Sequence, residues 1–286
     1  MDAWFTRAAG VVGTAVGALL GLVAIQLLRL RRMQFLPPHP GFEIDHVVRP
    51  TSGEAVRGTL RLVVLGDSTT AGVGVDRPED ALPHLIAQGI ADAEKREVHV
   101  VNYGWAGARA ANLVPEQLPR ALEPIRPDDP RPFIAGADVV AVVIGANDAT
   151  HRTRPARFRA DLRATFEAVR AAAPHARVVH AGIPAFRGAL RTLEPLMLIT
   201  DSYARVLRPI SRQESERCGV AYADLARDVP PRIRGRRDFL SSDQFHPSAF
   251  GYGIWAQVIV EALRGPAPEP APEPIGLAQR SRAEAS

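Results

Sequence analysis

The chain has 286 residues, 46% of them apolar and 23% charged, which suits one mid-sized domain with a sizeable core and appendages. Its net charge is only +4, and its arginines are scattered among acids, which argues against a nucleic-acid partner. Cys218 is the only cysteine, so an intrachain disulfide and a cysteine metal cluster are both excluded.

Residues 1–34 read as a membrane anchor. Ala8 to Leu28 carries no charge, and as a helix that run is roughly 30 Å long, about one hydrocarbon thickness. Arg29, Arg31 and Arg32 follow it where a signal peptide would show a small-residue cleavage site, so a retained transmembrane helix is expected. The same arginines favour a cytoplasmic carboxyl side. Gly13, Gly17 and Gly21 recur near one helix face, a pattern that admits close helix–helix approach and a possible homodimer.

Residues 35–59 contain Pro37-Pro38-His39-Pro40 and little periodicity, and read as a connector. The domain proper is expected over 60–264. Leu60–Leu65, Val98–Val101, Asp138–Ile144, Arg177–Ala181 and Val220–Ala223 read as strands covered on both faces. Pro78–Lys95, Arg157–Ala173, Tyr203–Cys218 and Pro247–Leu263 read as helices. This alternation predicts an α/β fold, a central parallel sheet layered between helices. Gly265 to Ser286 is dominated by Pro, Ala and Glu and reads as a disordered tail.

In such a sheet, ligands gather beyond the carboxyl ends of the strands. Ser68 follows the first expected strand, Asn102-Tyr-Gly104-Trp-Ala-Gly107 the second, and Gly145-Ala-Asn147-Asp148 the third. Asp243 and His246 lie on the loop before the last helix. A serine hydroxyl needs a base to take its proton, and an imidazole serves best when a carboxylate orients it. Ser68, His246 and Asp243 supply those three roles if the fold unites them. Taken singly, each has a plainer reading as a helix cap, turn or loop residue. His39, His46, His84, His99, His151, His175 and His180 show no ligand spacing, so neither a metal nor a cofactor is expected.

Gly66-Asp67-Ser68, Gly107, Gly145-Ala-Asn147-Asp148 and Asp243-Gln-Phe-His246, in that order, resemble the signature blocks of the SGNH (GDSL-type) hydrolases. Thr69 departs from the leucine commoner in that family, and Gly182-Ile-Pro184 resembles a minor block. The resemblance implies a flavodoxin-like three-layer α/β/α fold and hydrolysis of acyl esters. It implies Ser68 as nucleophile, His246 as base and Asp243 as its orienting acid. The implied oxyanion hole comprises the main-chain N–H groups of Ser68 and Gly107 with the Asn147 side chain. Phe186 to Thr200, rich in Leu, is either a wall or lid of an acyl pocket or a helix packed in the core. The rival reading of the chain is a noncatalytic membrane-anchored domain that binds a ligand or partner.

Overall fold

The computed structural model describes residues 2–32, 44–125, 130–186 and 194–265. In chain order it comprises helix α1 (Asp2–Arg32), strands β1 (Asp45–Val48) and β2 (Val56–Gly66), α2 (Leu82–Glu94), and β3 (Arg96–Asn102). An irregular helical stretch follows: α3 (Ala110–Asn112) runs through a π-helical turn, Leu113–Gln117, into α4 (Leu118–Ala121). Then come β4 (Val139–Val143), α5 (Ala146–Thr150), α6 (Pro155–Ala172), β5 (Arg177–Ala181), α7 (Leu196–Arg217), β6 (Ala221–Ala223), α8 (Leu225–Arg232) and α9 (Ala249–Arg264).

The six strands form one sheet in the order β1-β3-β2-β4-β5-β6. All pairs are parallel except β1 with β3. The chain's β-branched runs explain the sheet. All five residues of β4 are buried, and they alternate between two cores. Val139, Ala141 and Val143 face α2, α8 and α9 with Leu62 and Val64. Val140 and Val142 face α6 and α7 with Val63 and Leu65. Helices on both faces make the expected three layers, with an antiparallel edge added.

The strand ends are aligned. Gly66 pairs with Val143, Val143 with Ala181, and Ala181 with Ala223. Whatever follows these residues therefore shares one rim. β2 has β3 on one side and β4 on the other, so the chain reverses direction across the sheet here and opens a crevice at the rim.

One boundary needs correction. The expected connector over 35–59 contains β1 and the start of β2; residues 35–43 of it lie outside the described residues. β1 was unreadable because Asp45-His46-Val47-Val48 offers only two adjacent β-branched side chains at a polar edge. The expected disordered tail falls, apart from Gly265, outside the described residues.

The amino-terminal segment is a single helix of 31 residues. Among the described residues no helix is long and apolar enough to cross a membrane, so the expected transmembrane span finds no support here. Near its carboxyl end the Gln26 amide donates to Glu194 O (2.7 Å) and accepts from Leu196 N (3.3 Å), fastening α1 to the start of α7. Gly13, Gly17 and Gly21 stand open, with no atom within 4 Å of where a Cβ would sit. An open face is not evidence of a partner, and the expected homodimer has no support.

Candidate active site

The serine is presented by a braced strand end. Gly66 N donates to Gln117 Oε1 (2.9 Å), and Gln117 Nε2 donates to Gly66 O (2.7 Å). Gln117 is wholly buried, so one amide satisfies both main-chain groups of the residue two before Ser68. A side chain at Gly66 is excluded, because its Cβ would stand 2.6 Å from Val143 O. Asp67 then turns inward. Its Oδ1 accepts from Thr69 N (3.0 Å) and from the Thr69 hydroxyl (2.8 Å). Thr69 thus supplies a hydrogen bond that leucine could not, which accounts for the departure from the commoner residue. Burial pushes the Asp67 carboxyl above its ordinary value. Ser68, half-buried, is left at the rim.

The partner residues come from the loop between α8 and α9. That loop is pinched by a bridge between Leu240 and Pro247, by Ser241 N donating to His246 O (2.8 Å), and by Ser248 N donating to Phe239 O (2.9 Å). Ser248 then caps α9, accepting from Gly251 N, so the helix begins just after the expected Pro247. Within the pinch, Asp243 Oδ1 accepts from Phe245 N, His246 N and Ser241 Oγ, each at 2.9 Å. Asp243 Oδ2 lies 2.6 Å from His246 Nδ1. Burial opposes charge on Asp243, but the His246 imidazole and the main-chain N–H groups outweigh it, and the carboxyl is held well below its usual range. A carboxylate so held can only accept, so Nδ1 carries the proton and Nε2 is left as acceptor. Ser68 Oγ, 178 residues away in sequence, donates to that Nε2 at 2.9 Å.

The expected anion-stabilising residues converge less completely. Among the described residues the main-chain N–H groups of Ser68 and Gly107 donate to no protein acceptor. Gly107 has φ +90°, in the region that favours glycine. Its turn is tied down at both ends: Trp105 N donates to Gly66 O (3.3 Å), and Ala108 O accepts from Asn147 Nδ2 (3.0 Å). That bond takes one of two amide protons of Asn147 and leaves the other available. Asp148, buried and pushed up by that burial, clasps the same loop through Ala110 N (2.9 Å). The pair is therefore no mere turn; both side chains of α5 hold the loop that bears Gly107.

Comparison with known proteins agrees with this geometry. The model of the GDSL-like Lipase/Acylhydrolase family matches residues 64–254, more than half of the chain. The chain belongs to that family. A GDSL-like esterase of Mycobacterium tuberculosis is 24% identical over 209 residues, 72% of this chain. The match spans 62% of that esterase's length. Among solved structures, an extracellular lipase from Streptomyces rimosus shares 22% identity at a TM-score of 0.52, covering 71% of this chain and 99% of the lipase. A phospholipase A1 from Streptomyces albidoflavus shares 23% at 0.52, covering 71% and 98%. The lipase Lip_vut3 from a goat rumen metagenome shares 18% at 0.57, covering 73% and 99%. At these identities the structures establish a shared fold.

In this GDSL-like chain a cavity of about 790 Å³ opens beside Ser68, His246 and Asn147. Its apolar wall is Leu225, Val229 and Ile233 from α8 and the residue after it, with Trp255 of α9, Phe239 and Phe245. Of Phe186 to Thr200, expected as a pocket wall or lid or as a core helix, Phe186 lines the cavity, residues 187–193 lie outside the described residues, and Leu196 onward belongs to α7, which packs in the core through Ala204, Leu207 and Ile210. Sequence reasoning missed α8 because Pro230 and Pro231 sit inside it. The i, i+4, i+8 spacing of Leu225, Val229 and Ile233 was the available signal. Gln117 was missed as well, and an isolated glutamine carries no sequence signal.

Proposed function

We propose that this chain is a serine hydrolase that cleaves carboxylic (acyl) esters. The observation that supports it most is the unbroken relay Ser68–His246–Asp243, with contacts of 2.9 and 2.6 Å, opening on an apolar cavity. Ser68 Oγ attacks the ester carbonyl as its proton passes to His246 Nε2. The Nδ1 proton stays on the ring, where the Asp243 carboxylate offsets the imidazolium charge. The oxygen that gains negative charge meets the free N–H groups of Ser68 and Gly107 and the second amide proton of Asn147. Such donors are already aimed before the reaction starts, so none must reorganise. His246 then protonates the leaving alcohol, and water repeats the sequence on the acyl-enzyme. In this reading Ser68 forms the covalent bond, so a fluorophosphonate should label the chain at Ser68 and p-nitrophenyl butyrate should be hydrolysed. Labelling elsewhere, or undiminished turnover in folded Ser68→Ala, would refute it.

A second proposal concerns α1: it associates with a membrane. Val12, Val16, Leu19, Leu20, Leu22, Ile25 and Leu28 are each 45–64% exposed, an apolar surface with no partner in the domain core. The full chain is expected to sediment with lipid vesicles, and a variant beginning at residue 35 is not. Equal sedimentation of the two would overturn it.

A further inference from the structure

Gln117 is wholly buried and is not among the residues that line the cavity. Taking an amide out of water and fixing a long side chain both oppose folding, so such a residue is expected to make bonds that an apolar side chain could not. Gln117 makes two, donating to Gly66 O at 2.7 Å and accepting from Gly66 N at 2.9 Å. They grip the peptide groups on both sides of one α-carbon, two residues before Ser68. The aim of the amide depends on an irregular turn. Over Leu113–Gln117 the helix widens, and Leu118 N donates to Leu113 O, five residues back. Relative to an α-helical turn this inserts one residue, and one residue is roughly 100° of rotation about the helix axis. The same helical stretch begins at Ala110, three residues after Gly107, where Asp148 Oδ2 accepts from Ala110 N (2.9 Å). Gly66 also meets the Gly107 loop directly. Its carbonyl accepts from Trp105 N (3.3 Å) as well as from Gln117, and a Cβ on Gly104 would stand 3.0 Å from Gly66 C and O. One strand residue thus joins the backbone leading to the serine, the loop bearing Gly107 and the buried amide.

From this junction we propose that Gln117 is a positioning residue for the hydrolytic reaction: by fixing both peptide planes at Gly66, it holds Ser68 in register with the loop that bears Gly107. The proposal rests on the esterase reading above and adds to it a residue that acts from outside the cavity. Rotation of either plane carries Ser68 Oγ with it, and a misplacement of about 1 Å costs roughly 10²-fold in rate. The amide therefore matters to the geometry of attack, beyond the burial that any side chain of its size would supply.

The test uses the full chain and p-nitrophenyl butyrate, with kcat expressed per serine titratable by a fluorophosphonate, so that unfolded protein is not counted. Gln117→Met keeps the length of the side chain and removes both bonds. It is expected to lower kcat on the order of 10²-fold and to leave KM within about twofold. A brace that served stability alone would lower the melting temperature and leave kcat per site unchanged; kcat within about threefold of wild type overturns the proposal. Gln117→Glu decides independently, including the case in which Gln117→Met does not fold. A neutral carboxyl reproduces both bonds, its carbonyl accepting from Gly66 N and its hydroxyl donating to Gly66 O. Ionised, it can only accept, and it faces Gly66 O with no proton to offer. Burial raises a carboxyl's pKa, to about 8–9 in documented cases, so the two states are sampled at about pH 5.5 and about pH 9. The ratio of variant to wild-type kcat, which cancels the titration of His246, is expected to lie near one at the lower pH and to fall at least about tenfold at the higher, at constant KM. A ratio unchanged between the two, or a change confined to KM, overturns the proposal. A wild type that neither turns over the ester nor takes the label refutes the esterase reading and the proposal with it, whereas an active wild type with unimpaired variants refutes the proposal alone.

Discussion

Among the described residues two buried histidines each lie 2.9 Å from a serine hydroxyl. His246 faces Ser68 at the rim, and His180 faces Ser215 between β5 and α7. The contacts match in length, and the surroundings do not. Behind His246 stands Asp243 at 2.6 Å; around His180, among the described residues, stand main-chain carbonyls, that of Ile144 at 3.4 Å and that of Ser211, and no carboxylate. Ser68 opens on a cavity, whereas Ser215 and His180 are wholly enclosed. Burial with no carboxylate drives His180 down to about 4, so it stays neutral at ordinary pH. A serine–histidine contact alone therefore carries no functional reading; the proposed hydrolase chemistry needs the carboxylate behind it and the space before it.

The comparison is broken most directly at the two serines. Ser68→Ala should lower ester turnover by on the order of 10⁶-fold if the triad acts as a unit. Ser215→Ala should leave turnover intact while costing stability, since it strips His180 of a partner. Comparable rate losses in the two variants, measured with p-nitrophenyl butyrate, would erase the distinction.

The carboxylate is the next point of difference. Asp243→Asn preserves shape but offers an amide where an acceptor is needed, so the imidazole adopts the wrong tautomer. A loss in kcat on the order of 10⁴-fold is expected. A loss under tenfold would mean that Asp243 only shapes the loop. Asn147→Ala sharpens the comparison at smaller scale. Removing one donor to a developing oxyanion should cost on the order of 10²-fold in kcat. The Asn147 bond to Ala108 O also holds the loop carrying Gly107, so a rise in KM alone would point to loop placement instead.

Much of this was legible before the structure, and for a physical reason. In parallel sheets ligands gather at the strand ends, so short polar blocks after apolar runs pointed both to the sheet and to the rim of the proposed site. Val139–Val143 and Arg177–Ala181 fall almost where the apolar runs predicted. The blocks bearing Ser68, Asn147, Asp243 and His246 meet as their positions implied. What stayed hidden depends on contacts between distant segments. Gln117 acts only because a π-helical turn aims it at Gly66, and no local pattern encodes that. α8 breaks the local rule by holding two prolines, yet packing of Leu225 and Val229 against the sheet face overrides propensity. The His180–Ser215 pair joins residues 35 apart that only the β5–α7 contact unites.

The last prediction tests the enclosed pair by pH. A histidine whose folded value is about 4, against an ordinary value of 6.5, binds protons more readily once unfolded. Its effect is nil above pH 6.5, and stability is lost as pH falls from 6.5 toward 4. Between pH 7 and pH 5 the loss from this one group is about 2 kcal/mol. His46 and His84, whose rings meet at 2.9 Å, are also lowered by burial and act in the same direction. The informative quantity is therefore the difference between wild type and His180→Gln in urea unfolding at the two pH values. The variant should lose about 2 kcal/mol less than the wild type on acidification. Parallel losses would mean that His180 takes up its proton in the folded state, and the contrast with His246 would then rest on the cavity and Asp243 alone.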